Sequence, residues 1–138
     1  MSNATLFKEY LDKKGIVPET RNSETSVSFE FQQKLKTGAS GRLLVVLEED
    51  TLASIYALDY ISLSNTARKE YMCKVLNELN IKYTYFKFYL STENIVVLQC
   101  SLPIRNNTFS ADLIFNLLGN VLGTMEDEYS GIMKAMLS

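Results

Sequence analysis

The chain has 138 residues and a mass of 15.7 kDa; 46% of its residues are hydrophobic, 22% are charged, and it holds 2 Pro and 6 Gly. This length and composition are typical of one soluble domain with its own core, and they exclude collagen-like and low-complexity chains. The net charge of -2 and the pI near 5.2 provide no positive field for nucleic acid or an anionic membrane. We therefore expect a single domain over residues 1–138 that works in the cytoplasm, without a membrane segment.

The N-terminal segment predicts a short amphipathic helix over residues 5–15. Its apolar side chains recur at helical spacing at Leu6, Phe7, Tyr10 and Leu11. Thr5 is the expected N-cap, and Gly15 is the expected end of the helix. Residues 1–4 match both a native start and a common cloning scar, so no structure is assigned to them.

Three strands are predicted within residues 26–61, at 26–31, 43–47 and 52–61. In the first, apolar Val27, Phe29 and Phe31 alternate with polar residues, which is typical of a half-buried strand. The second is a continuous aliphatic run, which indicates a strand covered on both faces. Because the strands lie close in sequence, an antiparallel meander is the simplest topology, and the polar segment 19–25 is expected to be a linker.

The second half of the chain predicts a helix, a hairpin and a long C-terminal helix. The helix covers residues 65–80, the hairpin covers 82–102, and the last helix covers 108–137. In the last segment the apolar spacing persists throughout, which favours one helix. Thr124 and the three acidic residues that follow it would also suit a second helix start, so a break at that point stays an alternative.

These elements together predict an α+β fold with the order α-β-β-β-α-β-β-α. The sheet is expected to be a single layer of five mainly antiparallel strands with the helices on one face. The junction Val75–Asn80, the aromatic segment Tyr83–Tyr89 and the closing segment Phe115–Met136 resemble the bacterial YbjN-like family. That resemblance implies a fold similar to type III secretion chaperones and a role as a candidate regulator of sensory transduction. It implies no catalytic residues, and because such chaperones are commonly dimers it leads us to expect a homodimer.

A stripe of tyrosines is the candidate binding surface. On a strand over residues 83–89, alternate side chains would place three tyrosines and a lysine on one face and the phenylalanines on the other. With two tyrosines of the third strand, the candidate partner-binding set is Tyr56, Tyr60, Tyr83, Tyr85, Lys87 and Tyr89. Such rings serve as anchors for a protein partner, as a stacking platform for single-stranded nucleic acid, or as core beneath another element. Few basic residues flank the stripe, so a protein partner is expected and nucleic acid is not.

The chain offers little of the chemistry that catalysis requires. Histidine is absent, which excludes Ser-His-Asp triads and zinc sites that contain histidine. Cys73 and Cys100 lie in apolar stretches and are interpreted as small hydrophobic residues, and Asp59 is expected at an exposed or edge position of its strand. We therefore expect a non-catalytic protein-binding or regulatory module with no cofactor and no metal. An enzyme that uses Asp59 or a cysteine is the weaker alternative.

Overall fold

The computed structural model describes residues 2–38, 40–49, 51–105 and 108–137. Its helices and strands, in chain order, are α1 (Asn3–Lys13), β1 (Glu19–Asn22), β2 (Val27–Lys34), β3 (Ser40–Glu48), β4 (Leu52–Ser62), α2 (Lys69–Lys82), β5 (Lys87–Leu90), β6 (Ile95–Pro103) and α3 (Ala111–Leu137). A single 3-10 turn at Thr66–Arg68 leads into α2. The predicted α+β class is confirmed, with the strands before and after α2 in the expected order.

The sheet has six strands in the spatial order β1-β2-β3-β4-β6-β5, and every neighbouring pair among the described residues is antiparallel. The prediction of five strands is wrong because Glu19–Asn22, assigned to a linker, pairs with β2 as an edge strand. All four residues of β1 are exposed, so the strand carries no apolar alternation that would mark it in the sequence.

All three helices contribute to one core on one face of the sheet. The inward side chains of the central strands, such as Val45, Ile55 and Leu98, are fully buried there. The helices bury side chains of the same cluster: Phe7 and Leu11 of α1, Met72 and Leu76 of α2, and Ile114, Leu118, Val121, Met125, Ile132 and Met136 of α3. The prediction that helices cover one face is therefore confirmed.

The helix ends differ from those expected. The N-cap of α1 is Ser2, whose Oγ accepts the backbone N–H of Thr5 at 3.1 Å, so Thr5 is not the cap. Asn3 is 2% exposed and belongs to the helix, so α1 begins within the segment 1–4 to which the sequence pattern assigns no structure. The C-terminal segment is one continuous helix of 27 residues, which rejects the alternative of a break near Thr124.

The first and last helices are in contact. The hydroxyl of Tyr10 donates to Oδ1 of Asp112 at 2.6 Å, and the Tyr10 ring lies 5.6 Å from that of Phe115. The ammonium of Lys14 lies 5.1 Å from the centre of the Phe115 ring. This contact joins the N-terminal helix to the start of α3.

Strand β4 contains a bulge that the sequence pattern did not predict. Ala57 pairs with Leu98 and Ile61 pairs with Val96, so three residues of β4 lie opposite one residue of β6. Within the bulge Asp59 has a positive φ of 52°. The bulge interrupts the inward–outward alternation, so that the consecutive residues Tyr60 and Ile61 both belong to the helix-side core.

Candidate functional site: the open face of the sheet

The face of the sheet opposite the helices carries a group of apolar side chains that no described helix covers. We call this surface the open face, and its apolar centre consists of Leu44, Val46, Tyr56, Leu58, Tyr89 and Val97. Val97 is buried between its neighbours, and the other five are half-buried. These side chains lie outside the helix-side core cluster. The expectation that residues 43–47 are covered on both faces is wrong, since only the inward side chains of that run are buried.

One row of residues crosses the open face in register. It runs from Glu30 on β2 through Leu44, Tyr56 and Gln99 to Lys87 on β5. Outside these five positions, Glu19 of the edge strand β1 pairs with Glu30 and adds a second acid at that end. At about 4.8 Å between neighbouring strands, the five positions span roughly 19 Å. The row therefore begins with an acid, continues through apolar and neutral side chains, and ends with a base.

Three charged side chains form a cluster at the acidic end of the open face. The guanidinium of Arg42 donates to Oε1 of Glu30 from Nη2 at 2.8 Å and from Nε at 3.0 Å, and Nη1 donates to Oδ2 of Asp59 at 3.2 Å. The hydrogen bond from Arg42 lowers the pKa of Glu30 below its ordinary value, and the bonds to Glu30 and Asp59 raise the pKa of Arg42. Two carboxylates face one guanidinium, so the cluster carries a net negative charge.

Three members of the predicted stripe lie on the open face. Tyr56 and Tyr89 belong to the apolar centre, and the ammonium of Lys87 lies 5.0 Å from the centre of the Tyr89 ring. The hydroxyl of Tyr89 donates to Oε1 of Gln99 at 2.9 Å. Burial raises the pKa of the Tyr89 phenol, and Tyr56 raises it further, as expected for two phenols that share a surface.

The other three predicted members lie elsewhere. Tyr60 is 4% exposed and its hydroxyl donates to the backbone carbonyl of Met125 in α3. The ring of Tyr83 lies 5.7 Å from that of Phe88, and its hydroxyl donates to Glu128 of α3. Tyr85 is 77% exposed in the connection between α2 and β5. The predicted grouping is wrong for these three because β5 begins only at Lys87 and because the bulge in β4 turns Tyr60 inward.

The candidate set predicted from the sequence contains no aliphatic member of the open face, although strands with aliphatic residues on both faces predict an apolar patch on the uncovered side. Leu44 and Val46 alternate with buried Leu43, Val45 and Leu47 within one apolar run. A signal was present, because such a run in an antiparallel meander with helices on one face leaves every second side chain uncovered.

Comparison with known proteins places the chain in a family. The family model described as "Putative bacterial sensory transduction regulator", YbjN, matches residues 7–132. The chain belongs to the YbjN family. The resemblance inferred from the sequence is thereby confirmed, and the family's description is regulatory rather than enzymatic. A search of curated protein sequences found no match.

Two solved structures resemble this YbjN-family chain. An uncharacterized protein from Methanothermobacter thermautotrophicus matches with a TM-score of 0.65 at 12% identity, over 97% of this chain and 99% of that one. YbjN from E. coli, titled "a putative transcription regulator", matches with a TM-score of 0.55 at 13% identity, over 93% of this chain and 92% of that one. At these identities the likeness shows a shared fold.

Potential reactive groups in this YbjN-family chain are separated by the sheet. Asp59 is exposed on the open face and bonded to Arg42, as expected for an exposed position, whereas Cys100 is buried in the helix-side core. Burial raises the pKa of the Cys100 thiol, which disfavours the reactive thiolate. Cys73 is exposed on α2, on the helix side. The weaker alternative was an enzyme that uses Asp59 or a cysteine, and the arrangement does not support its combined form, because the sheet separates Asp59 from both cysteines.

The described part of the chain contains neither a metal-binding cluster nor a membrane-spanning helix. Within residues 2–38, 40–49, 51–105 and 108–137, no cluster of three or more Cys, Asp or Glu side chains has the spacing to hold a metal ion. No helix in the same ranges combines the length and the apolar character that a membrane span requires.

Proposed function

We propose that this YbjN-family protein is a non-catalytic regulatory module that acts through the open face, and that the occupant of that face is a second copy of the chain. The observation that carries the proposal is the apolar centre, whose aliphatic and aromatic side chains no element of the described chain covers. Contiguous apolar surface of this kind on a small domain marks an interaction site.

Charge complementarity favours a second copy as the occupant. Consider a two-fold dimer in which the open faces of the two copies face each other and the axis between them runs parallel to the strands. The row of one copy then lies against the same row of the other copy in the opposite order. Lys87 of one copy then lies over the acidic cluster of Glu30, Arg42 and Asp59 of the other. Tyr56 meets the same residue of the other copy at the axis, and Leu44 lies beside it, over Gln99. The arrangement pairs one net positive charge with one net negative charge at each end and buries the apolar centre between them.

The rings suit such an interface. Tyr56 and Tyr89 have two side-chain torsions each, so little conformational entropy is lost when they are immobilised. Tyr89 is already oriented by its hydrogen bond to Gln99. A regulatory role would follow if a further polypeptide competes for the same face, and the cytoplasm is where we expect that exchange to take place.

Sedimentation velocity at micromolar concentration tests the proposal. We expect a dimer for the unaltered chain and a monomer for Leu44→Lys. The lysine would place a charge in the apolar centre of the dimer interface, whereas in the folded monomer its ammonium group can reach solvent. The control is Tyr85→Ser, which removes an exposed ring outside the strands and should leave the dimer intact. Lys87→Glu should weaken association at least tenfold, because it opposes like charges at both ends.

Two results would overturn the proposed dimer. One is a monomer at 50 µM or so for the unaltered chain, and the other is a dimer that Leu44→Lys leaves unchanged although circular dichroism shows a folded protein. A monomer whose open face binds an unrelated polypeptide would support the docking surface and reject the second copy as its occupant.

A further inference from the structure

An apolar cavity of about 170 Å³ lies on the helix side of the sheet, away from the open face. Strands β2 and β3 form its floor with Phe31 and Leu43, and α3 forms one wall with Phe115, Leu118 and Leu122. The side chain of Ile16 closes another side. Because the cavity and the open face lie on opposite sides of the sheet, an occupant of one need not disturb the other.

The exit of α1 holds Ile16 in place over the cavity. Gly15 adopts a positive φ of 73°, and the backbone N–H of Ile16 donates to the carbonyl of Leu11 at 3.0 Å. This is the hydrogen bond of a helix end with a left-handed glycine, and it fixes the direction of the next side chain. The wall formed by Ile16 is therefore built by the local sequence.

Gly119 completes the lining and is otherwise unexplained. It lies inside α3, where glycine is less favourable than alanine, and a Cβ added there would meet no atom within 4 Å. Neither close packing nor a positive φ requires a glycine at this position. Glycine at this exposed position leaves one side of the cavity open, where a larger side chain would narrow it.

We propose that this cavity binds a small uncharged molecule with an apolar body of about six to eight carbon atoms, either one ring or a short branched chain. The site is partly open to solvent at Gln33 and Gly119, and its volume is close to that of enclosed apolar cavities of roughly 150 Å³ that accept benzene. Its lining has no charged side chain, so a charged ligand would lose its hydration without compensation. Gln33, the polar side chain of the lining, is exposed and suits a hydroxyl or carbonyl group at the outer end of the ligand.

Titration with toluene and with p-cresol, followed by two-dimensional amide NMR, tests this proposal. We expect saturable shifts for both at residues of the cavity, with tighter binding of p-cresol because its hydroxyl can reach the Gln33 amide. Gly119→Leu fills the cavity and should reduce the affinity at least tenfold. The matched control is Gly123→Leu in the same helix, at a second glycine where a Cβ meets no atom within 4 Å but which does not line the cavity.

The smaller variant Gly119→Ala keeps the test decisive if the leucine variant does not fold. It adds one methyl group to the wall of the cavity and should lower the affinity for p-cresol by a factor of about three. The proposal is overturned if shifts do not saturate, or if both Gly119 variants bind as the unaltered chain does. Leu44→Lys should leave p-cresol binding unchanged, which separates this site from the proposed dimer.

Discussion

The side chain of Asn80 bonds both backbone groups of Phe88. Its Nδ2 donates to the Phe88 carbonyl at 3.1 Å, and its Oδ1 accepts the Phe88 N–H at 2.7 Å. Phe88 is in the outermost strand on this side of the sheet, so the amide of Asn80 occupies the position that a further strand would take. Asn80, at the end of the Val75–Asn80 segment, thus prevents another strand from pairing with the edge strand β5 at Phe88.

Asn80→Ala should destabilise the fold by about 1–3 kcal/mol, because two hydrogen bonds of ordinary net strength are lost. It should also increase aggregation, since the freed backbone groups of Phe88 can pair with another chain. Urea denaturation and light scattering measure the two effects. Asn77→Ala, at an exposed position of the same helix, is the control. Equal stability of the two variants would show that the Asn80 bonds contribute little.

Glu128 joins α3 to the end of α2. Its carboxylate accepts the Tyr83 hydroxyl and the ammonium of Lys82 at 2.7 Å. Burial raises the pKa of Glu128, but the bonds from Lys82 and Tyr83 outweigh burial and lower its pKa overall. A lowered pKa in the folded state means that the charged carboxylate stabilises the fold above the pKa of the unfolded chain, and that this stability is lost as the pH falls through the folded value.

Glu128→Gln should therefore lower the free energy of unfolding at neutral pH by about 1–2 kcal/mol, the range for a charge-assisted hydrogen bond after solvent screening of the exposed lysine. The difference in the free energy of unfolding between Glu128→Gln and the unaltered chain should shrink below a pH of about 4.5. Denaturation curves between pH 3 and pH 7 measure it. Glu126→Gln should change little, since its partner Lys36 is 90% exposed at 3.8 Å. If the loss of unfolding free energy in Glu128→Gln does not depend on pH, the charge of the Glu128 carboxylate does not stabilise the fold in this way.

The bulge in β4 holds the backbone of Asp59 in a left-handed conformation, which predicts a preference for glycine at this position. With φ of 52°, an L residue is less favourable there than glycine by about 1 kcal/mol. Both Asp59→Gly and Asp59→Ala remove the carboxylate that bonds Arg42, so only the backbone term distinguishes them. We expect the glycine variant to be more stable by roughly that amount in thermal unfolding. Equal melting temperatures would mean that the bulge relaxes when the side chain changes.

Single-stranded nucleic acid should bind weakly. On the described part of the open face, the cations near the apolar centre are Lys87, Arg42 and Arg21 of β1. Arg42 is bonded to Glu30 and Asp59. Arg21 lies beside Glu30, whose pKa it helps to lower. Titration of a labelled oligonucleotide at low salt should give a weak signal that disappears as salt is added. Tight binding that persists at 0.2 M salt or so and that Tyr56→Ser removes would favour the stacking platform over the protein interface.

Sequence patterns predicted those elements whose residues bury one regular face. The alternation of Phe29 and Phe31 and the helical spacing from Ile114 to Met136 both correspond to buried faces in the structure. By contrast, β1 is held by pairing with β2 and has no buried side chain to reveal it. A strand of this kind depends on its neighbour rather than on its own composition.

The candidate site was predicted only in part, for a similar reason. Which tyrosines share a face depends on where β5 begins and on the bulge at Asp59. Both are decided by tertiary packing, since Tyr83 and Tyr60 are drawn inward by contacts with Glu128 and Met125 of α3. Alternation places side chains only within a strand, and Tyr83 ends α2 before β5 begins, so periodicity alone could not separate Tyr89 from Tyr83.

The contact of Tyr10 with Asp112 and Phe115 has a consequence for synthesis of the chain. Asp112 of α3 follows its α1 partner Tyr10 by 102 residues in the chain. The strands and α2 are therefore made before α3, and the part of the apolar face that α3 covers stays open to water until α3 has been made. Because these contacts are distant in sequence, closing the core is a late step of folding, and the uncovered face is prone to aggregation until then.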